Sequence, residues 1–305
     1  MKTCFKRIFA MAMAGVMVCG MLTGCGSKKA ETKAETKAET AGDQTAASGE
    51  AAIETIEDGV LKVAMECGYA PYNWTQPSDE NGAVPISGSS DYAYGYDVMM
   101  AKHIADELGL ELEIVKLDWD SLVPAVQSGK VDCVIAGQSI TSDRLESVDF
   151  TTPYYYASII TLVKADGKYA DAKGVADLDG AVCTSQQNTV WYDTCLPQIP
   201  NAQILPAQES APAMLVALSA GKCDAVVTDM PTGQAALIAY PDFKLLDFTG
   251  ADDNFEVSEE EINIGISVKK GSALTEQLNS VLAGLTEEDF NKMMDEAISV
   301  QPLSE

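Results

Sequence analysis

Arginine is nearly missing from this sequence. Of its 305 residues 20 are Lys or Arg, yet only Arg7 and Arg144 are arginines, and they stand with a single histidine, His103, against 46 Asp and Glu for a formal net charge of -26. A surface so acidic repels phosphate backbones and anionic headgroups, which excludes nucleic acid as a partner. With one histidine, any Ser–His or Cys–His nucleophilic site would have to use His103. That residue lies mid-helix, off the apolar stripe and near Glu107, and reads as a surface side chain. HExxH and GxxxxGK[ST] are missing too, since Gly129-Lys130 and Gly221-Lys222 lack the upstream glycine and the following hydroxyl. The expectation is therefore no catalytic residue, no metal and no cofactor.

Long hydrophobic runs are equally scarce. The longest, Ile8 to Leu22, is about 15 residues, short of the ~20 a spanning helix needs. It follows Lys2, Lys6 and Arg7 and ends in Leu22-Thr23-Gly24-Cys25, which resembles the lipobox of bacterial lipoproteins. The resemblance implies a signal peptide over 1–24 and lipidation of Cys25, with a plain secretory signal as the alternative. Removing that signal leaves 17 cations, with Arg144 the one arginine. From Gly26 to about Ala52 the composition is Ala, Glu, Thr, Lys, Ser and Gly without aromatics, which cannot form a core. The lipidated cysteine and a flexible tether are thus expected over 25–54. Treated as a coil the tether would reach roughly 30 Å.

Cysteine beyond the anchor is sparse and unpaired in pattern: Cys67, Cys133, Cys183, Cys195 and Cys223 are an odd set without CxxC spacing. That argues against a disulfide framework or zinc site and favours buried free thiols over a Cys183–Cys195 bridge.

What is present is a chain 47% hydrophobic and long enough for about two domains. Val60 to Met65 reads as a strand. After a long loop, Val98, Ala101, Ile104, Ala105 and Leu108 make a helical stripe that stops at Gly109. A strand (Leu112 to Leu117), a helix (Ser121 to Gln127) and a strand (Val131 to Ala136) follow, the alternation of a parallel sheet. Leu122 to Gly137 aligns with Met214 to Asp229 at an offset of 92 residues, sharing Ala, Gly, Lys, Asp and Val. The offset suggests two similar lobes. A strand at Phe243 to Phe248, a β-like run at Ile262 to Val268 and two closing amphipathic helices complete the pattern. The crossings between lobes are expected at Thr151 to Tyr156 and near Glu256 to Asn263.

Ligands of open α/β sheets bind beyond the carboxyl ends of strands. Those ends are Ala136 to Arg144 in the first copy and Thr228 to Pro231 in the second, so the repeat sets Arg144 and Asp229 on facing lobes. A guanidinium fork suits a carboxylate, and a carboxylate accepts from an ammonium group. Ser139 and the backbone after Gly137 add polar groups. A bland reading stays open: Arg144 in a polar loop, and Asp229 as a turn or cap.

The segment WDSLVPAVQSGKVDCVIAGQSITSDRLESVDFTTPYY, Trp119 to Tyr155, resembles the signature region of family 3 extracellular solute-binding proteins. Gly95-Tyr96-Asp97, Ala225 to Asp229 and Ile264 to Gly271 extend the likeness over roughly residues 57–300. It implies an α/β, two-lobed periplasmic-binding-protein type II fold, each lobe a mostly parallel sheet flanked by helices, joined by a two-strand hinge. The expected boundaries are 55–155 for the first segment of lobe one, 156–255 for lobe two, and 256–302 for the return strand and closing helices.

Carried onto this sequence, the resemblance implies that Arg144 and Ser139 hold an α-carboxylate and Asp229 the α-amino group, with Gly137 at the strand end. The anion-holding loop of the second lobe, Gly-Thr-Thr or similar in the family, falls on Gln187-Asn188-Thr189, where Thr189 matches well and Asn188 less so. Tyr69 and Trp119 are the implied aromatic clamp, and Glu66 the reader of a basic side chain. Tyr72, Trp74, Trp191 and Tyr192 read as packing, and 76–94 is longer than the family norm. The implied protein is an extracytoplasmic monomer, tethered to the membrane by its lipid, that passes a free polar amino acid to ABC permease subunits. A dehydratase on the same fold and a sensory or adhesive lipoprotein are the alternatives.

Overall fold

The two copies of the repeat fold alike. Helices Trp119–Gln127 and Ala211–Ser219 each give way to a glycine in the left-handed region, Gly129 (φ 71°) and Gly221 (φ 68°), where a side chain would be strained. Each chain then enters a buried strand, Cys133–Val134 and Ala225–Asp229. The computed structural model describes residues 53–302; the expected signal peptide, Cys25 and nearly all of the tether lie outside them.

Those strands occupy the same place in two five-stranded sheets. The first runs Glu111–Lys116, Val60–Met65, Cys133–Val134, Ser267–Lys269, Val148–Phe150; the second runs Gln203–Ile204, Val182–Thr184, Ala225–Asp229, Ile159–Lys164, Phe243–Asp247. In each, the fourth strand is antiparallel to both neighbours while the other pairings are parallel. Ile159 to Val163 and all of Ala225–Asp229 are buried, as continuous apolar runs of covered strands should be.

The lobes are joined where Tyr155–Tyr156 pairs antiparallel with Asn263–Ile264. The β-like run expected over Ile262 to Val268 is thus two strands, broken at Gly265. A Cβ there would meet Ile140 Cγ1 at 2.8 Å and the Phe150 ring at 3.0 Å, so the glycine lets the backbone approach lobe one. The strand expected over Val131 to Ala136 is shorter than its pairing, because the Asp132 and Ile135 amides still donate to Lys62 and Ala64 carbonyls.

The long loop before the first helix is not a loop. Gly68–Tyr69, Asn73–Gln76, Tyr92–Tyr94 and Val84–Pro85 form a small antiparallel sheet in the order given, with Trp74 edge-on to Tyr94 at 5.4 Å. The helix Tyr96–Leu108 follows and ends at Gly109 with φ 66°. Helices Leu274–Leu282 and Glu287–Val300 bury Leu274, Leu278, Leu282, Phe290, Met294 and Ala297. The second opens on a capping box of Thr286 and Asp289. Cys67, Cys133, Cys183, Cys195 and Cys223 are buried free thiols.

Candidate functional site

Asp229 is the last residue of its strand and the N-cap of helix Met230–Ala239. One oxygen, Oδ1, accepts from the Thr232 amide at 2.8 Å, while Oδ2 accepts from the Tyr69 hydroxyl of lobe one at 2.7 Å. The bland cap reading is thus true of one oxygen, and the other faces across the cleft. Burial raises the Asp229 pKa against the opposing pull of these hydrogen bonds.

Tyr69 stacks on Tyr72 with ring centroids 4.7 Å apart and meets Trp191 of lobe two at 6.3 Å. Tyr72 and Trp191, which read as packing in the sequence, both set their rings against Tyr69. Tyr72 is fully buried and its hydroxyl has no hydrogen-bond partner among the described residues. Gly137 lies beneath them, at φ 62°, where a Cβ would come within 2.8 Å of Tyr69 Cε1 and 3.3 Å of Tyr72 Cδ1.

A buried network fixes this corner. Asp97 accepts from Asn73 Nδ2 at 2.7 Å and from the Tyr154 hydroxyl at 2.6 Å; the Tyr154 oxygen accepts from the Gly137 amide at 3.0 Å, and Asn73 Oδ1 from the Cys67 amide at 2.7 Å. Burial pushes the Asp97 carboxyl up to about 6, its hydrogen bonds pulling the other way. The first helix can bring Asp97 inward because Gly95 (φ 127°) passes over Tyr72, where a Cβ would lie 2.4 Å from the Tyr72 carbonyl oxygen. Asp97 stood within a matched motif in the sequence, but nothing there pointed to this role.

Arg144 is not in a loop. It belongs to the short helix Ser142–Ser147, whose N-cap Thr141 accepts from the Arg144 amide. The guanidinium carbon stands 5.3 Å from the ring centre of the buried Trp119, a cation–π contact. Nη1 donates to the Ser139 carbonyl and Nη2 to the Asn188 carbonyl of lobe two, each at 2.8 Å. Ser139 thus meets Arg144 through its backbone rather than its hydroxyl, and the fork keeps further N–H donors. Burial lowers the Arg144 pKa to about 10, a range in which it stays charged at neutral pH.

Thr189 turns inward, its hydroxyl donating to the Gln186 carbonyl at 2.7 Å, whereas Asn188 is exposed. Glu66 stands by a cavity of about 490 Å³ lined also by Asp118, Trp119, Asp120, Gln187 and Glu209. Glu66 Oε2 and Gln186 Nε2 are both buried without a hydrogen-bond partner among the described residues. Burial first, then the charges of Asp118, Asp97 and Asp120, push the Glu66 carboxyl up to about 7, while the nearby Gln186 amide draws it down. Asp229, Tyr69, Gly137, Ser139 and Arg144 therefore follow one another by contact or chain, with Trp119 over Arg144. Asn188 joins from lobe two through its carbonyl, and Glu66 lies toward the acidic cavity. Thr189 touches none of these side chains through its hydroxyl.

Two sheets of shared order, joined by a two-stranded crossing, with a carboxylate ending a strand of one lobe and a cation on a short helix of the other, are the build of a type II periplasmic binding protein. Residues 61–298 match the model of the bacterial extracellular solute-binding proteins, family 3, and the chain belongs to that family. The "Probable histidine-binding protein" of Campylobacter jejuni is 32% identical over 60% of this chain and 64% of its own length, a little under two thirds. The ABC transporter glutamine-binding protein GlnH of Bacillus subtilis is 28% identical over 91% of each chain. Among solved structures, an amino acid ABC transporter substrate-binding protein of Streptococcus pneumoniae bound to L-arginine superposes with a TM-score of 0.67 at 26% identity. It covers 81% of this chain and 97% of its own.

Proposed function

We propose that this chain is an extracytoplasmic, lipid-anchored receptor that captures a free polar amino acid, by preference a basic one, and delivers it to an ABC permease. The observation that carries the reading is the contact between Asp229 of lobe two and Tyr69 of lobe one, together with the second interlobe contact that Arg144 of lobe one makes to the Asn188 carbonyl of lobe two. In this reading Arg144 takes the α-carboxylate with Ser139 and Gly137 beside it, Asp229 takes the α-amino group, and Tyr69 and Trp119 flank the side chain. Thr189 and Asn188 contribute from lobe two. The unpartnered Oε2 of Glu66 and the surrounding carboxylates favour a cationic side chain. Contacts made to both lobes at once draw the protein toward its shut form. The family relatives named above are transport binding proteins by name, which favours binding over catalysis.

A thermal-shift panel of the twenty amino acids tests this directly, because a solute that binds only the native state raises the unfolding midpoint with its concentration. L-arginine or L-lysine should give the largest rise. Arg144→Ala should abolish it, and Arg144→Lys, which keeps the charge but loses the fork, should retain part of it. A flat response to every α-amino acid would overturn the proposal.

A further inference from the structure

Four hydrogen bonds cross the rim of the cleft to the loop at Gln187 and Asn188 on lobe two. Asp120 Oδ2 accepts from Gln187 Nε2, and Asp120 Oδ1 from Asn188 Nδ2, both at 2.7 Å. Beside them Trp119 Nε1 donates to the Gln187 carbonyl at 3.1 Å and Arg144 Nη2 to the Asn188 carbonyl at 2.8 Å. All eight groups belong to the protein, so the bonds act on opening and closing whatever solute is present. Hydrogen bonds to a charged acceptor are the short, strong ones, and both oxygens of Asp120 are engaged this way.

The loop is shaped for the contact. Asn188 adopts φ 55°, a left-handed conformation that asparagine tolerates better than most residues, and this turns its side-chain amide to Asp120 while its carbonyl meets Arg144. Positions 187 and 188 are also where the sequence departs from the family's Gly-Thr-Thr or similar loop. Two long amides in place of small residues span the distance to the opposite lobe.

We propose that Asp120 is a latch. It positions Gln187 and Asn188 against lobe one, sets the fraction of shut protein, and through the Asn188 carbonyl holds the Arg144 guanidinium in place. The latch is independent of which amino acid binds. Where only the shut form holds solute tightly, apparent affinity falls in proportion to the shut fraction.

The test is a double-mutant cycle read by the distance between spin labels at Lys130→Cys on lobe one and Lys173→Cys on lobe two, in protein without added solute. Asp120→Ala should lower the ratio of shut to open protein about tenfold, the order expected for losing hydrogen bonds to a charged group. Gln187→Ala should do so less. The double variant should match Asp120→Ala alone, because that change already removes the Gln187 bond along with the Asn188 one. With L-arginine as probe, the same variants should raise koff while leaving kon nearly unchanged, a split that a general loss of stability does not produce. Gln187→Ala sits in a loop, so its own shift in the distances still decides if Asp120→Ala disturbs its helix. Unchanged distance distributions, or full additivity of the two substitutions, would overturn the latch. If wild-type protein ignores L-arginine, the solute assignment falls while the ligand-free distances still decide this one.

Discussion

The hydroxyl of Tyr69 and the carboxylate of Asp229, 160 positions apart in sequence and on opposite lobes, meet at 2.7 Å. The bond ties to the opposite lobe one oxygen of the carboxylate proposed to take the α-amino group. Asp229→Ala should weaken L-arginine binding by about 100-fold or more, and Tyr69→Phe by about tenfold, as for loss of a charged and a shared hydrogen bond. Isothermal calorimetry checks both; a Tyr69→Phe protein weaker than Asp229→Ala would reverse the assignment.

Glu66 makes a prediction in pH. Its carboxyl is pushed up to about 7 in the folded chain from an ordinary value of 4.5. The unfolded chain therefore gives up this proton first, and the group's contribution to stability is full below about 4.5 and lost as pH rises to about 7. A cationic side chain favours the ionised form, so L-arginine affinity should climb with pH from about 5.5 to about 8. Glu66→Gln should flatten that climb and narrow the preference for L-arginine over L-glutamine. Slope that survives the substitution belongs to Asp97 and Asp229. An unaltered profile would remove Glu66 from the reading of charge.

Gly137→Ala should damage both folding and binding. The new methyl would press on Tyr69 and Tyr72 at 2.8 and 3.3 Å, from a backbone with φ 62°. Ring displacement and left-handed strain together should cost about 1–3 kcal/mol. Chemical unfolding gives the first effect and an L-arginine titration the second; a variant as stable as the parent would mean that the rings move freely.

Cys25→Ala separates anchoring from capture. In cells making the full chain, the substitution should shift the protein from the membrane fraction to the soluble one and abolish incorporation of labelled palmitate. Solute affinity should stay unchanged. Persistent labelling would place the lipid elsewhere, and an unlabelled parent would remove it from the account.

Much of this fold was legible because its signals are local. A glycine after each repeat helix, an apolar run in each central strand and the 92-residue offset suffice to propose two lobes, and the two sheets carry the same strand order. Arg144 stood out through the rarity of its residue type. The insertion at 76–94 did not read as a sheet, because strands of two to four residues are too short to establish a period. The Asp97 network was hidden for another reason. It joins residues 73, 97, 137 and 154 from four separate segments, and a buried carboxylate without a cation has no sequence signature. The Asp120 contacts exist only across the cleft, so they too had no local trace.

The five sealed cysteines carry a practical consequence. Burial pushes Cys67, Cys195 and Cys223 up to about 12 and Cys183 up to about 11, with Cys133 higher still, so none offers a thiolate near neutral pH. With every described thiol unpaired, the fold closes without a disulfide among them. It also leaves its surface open for chemistry of the experimenter's choosing, since a reporter cysteine placed on either lobe would react while the native ones stay silent.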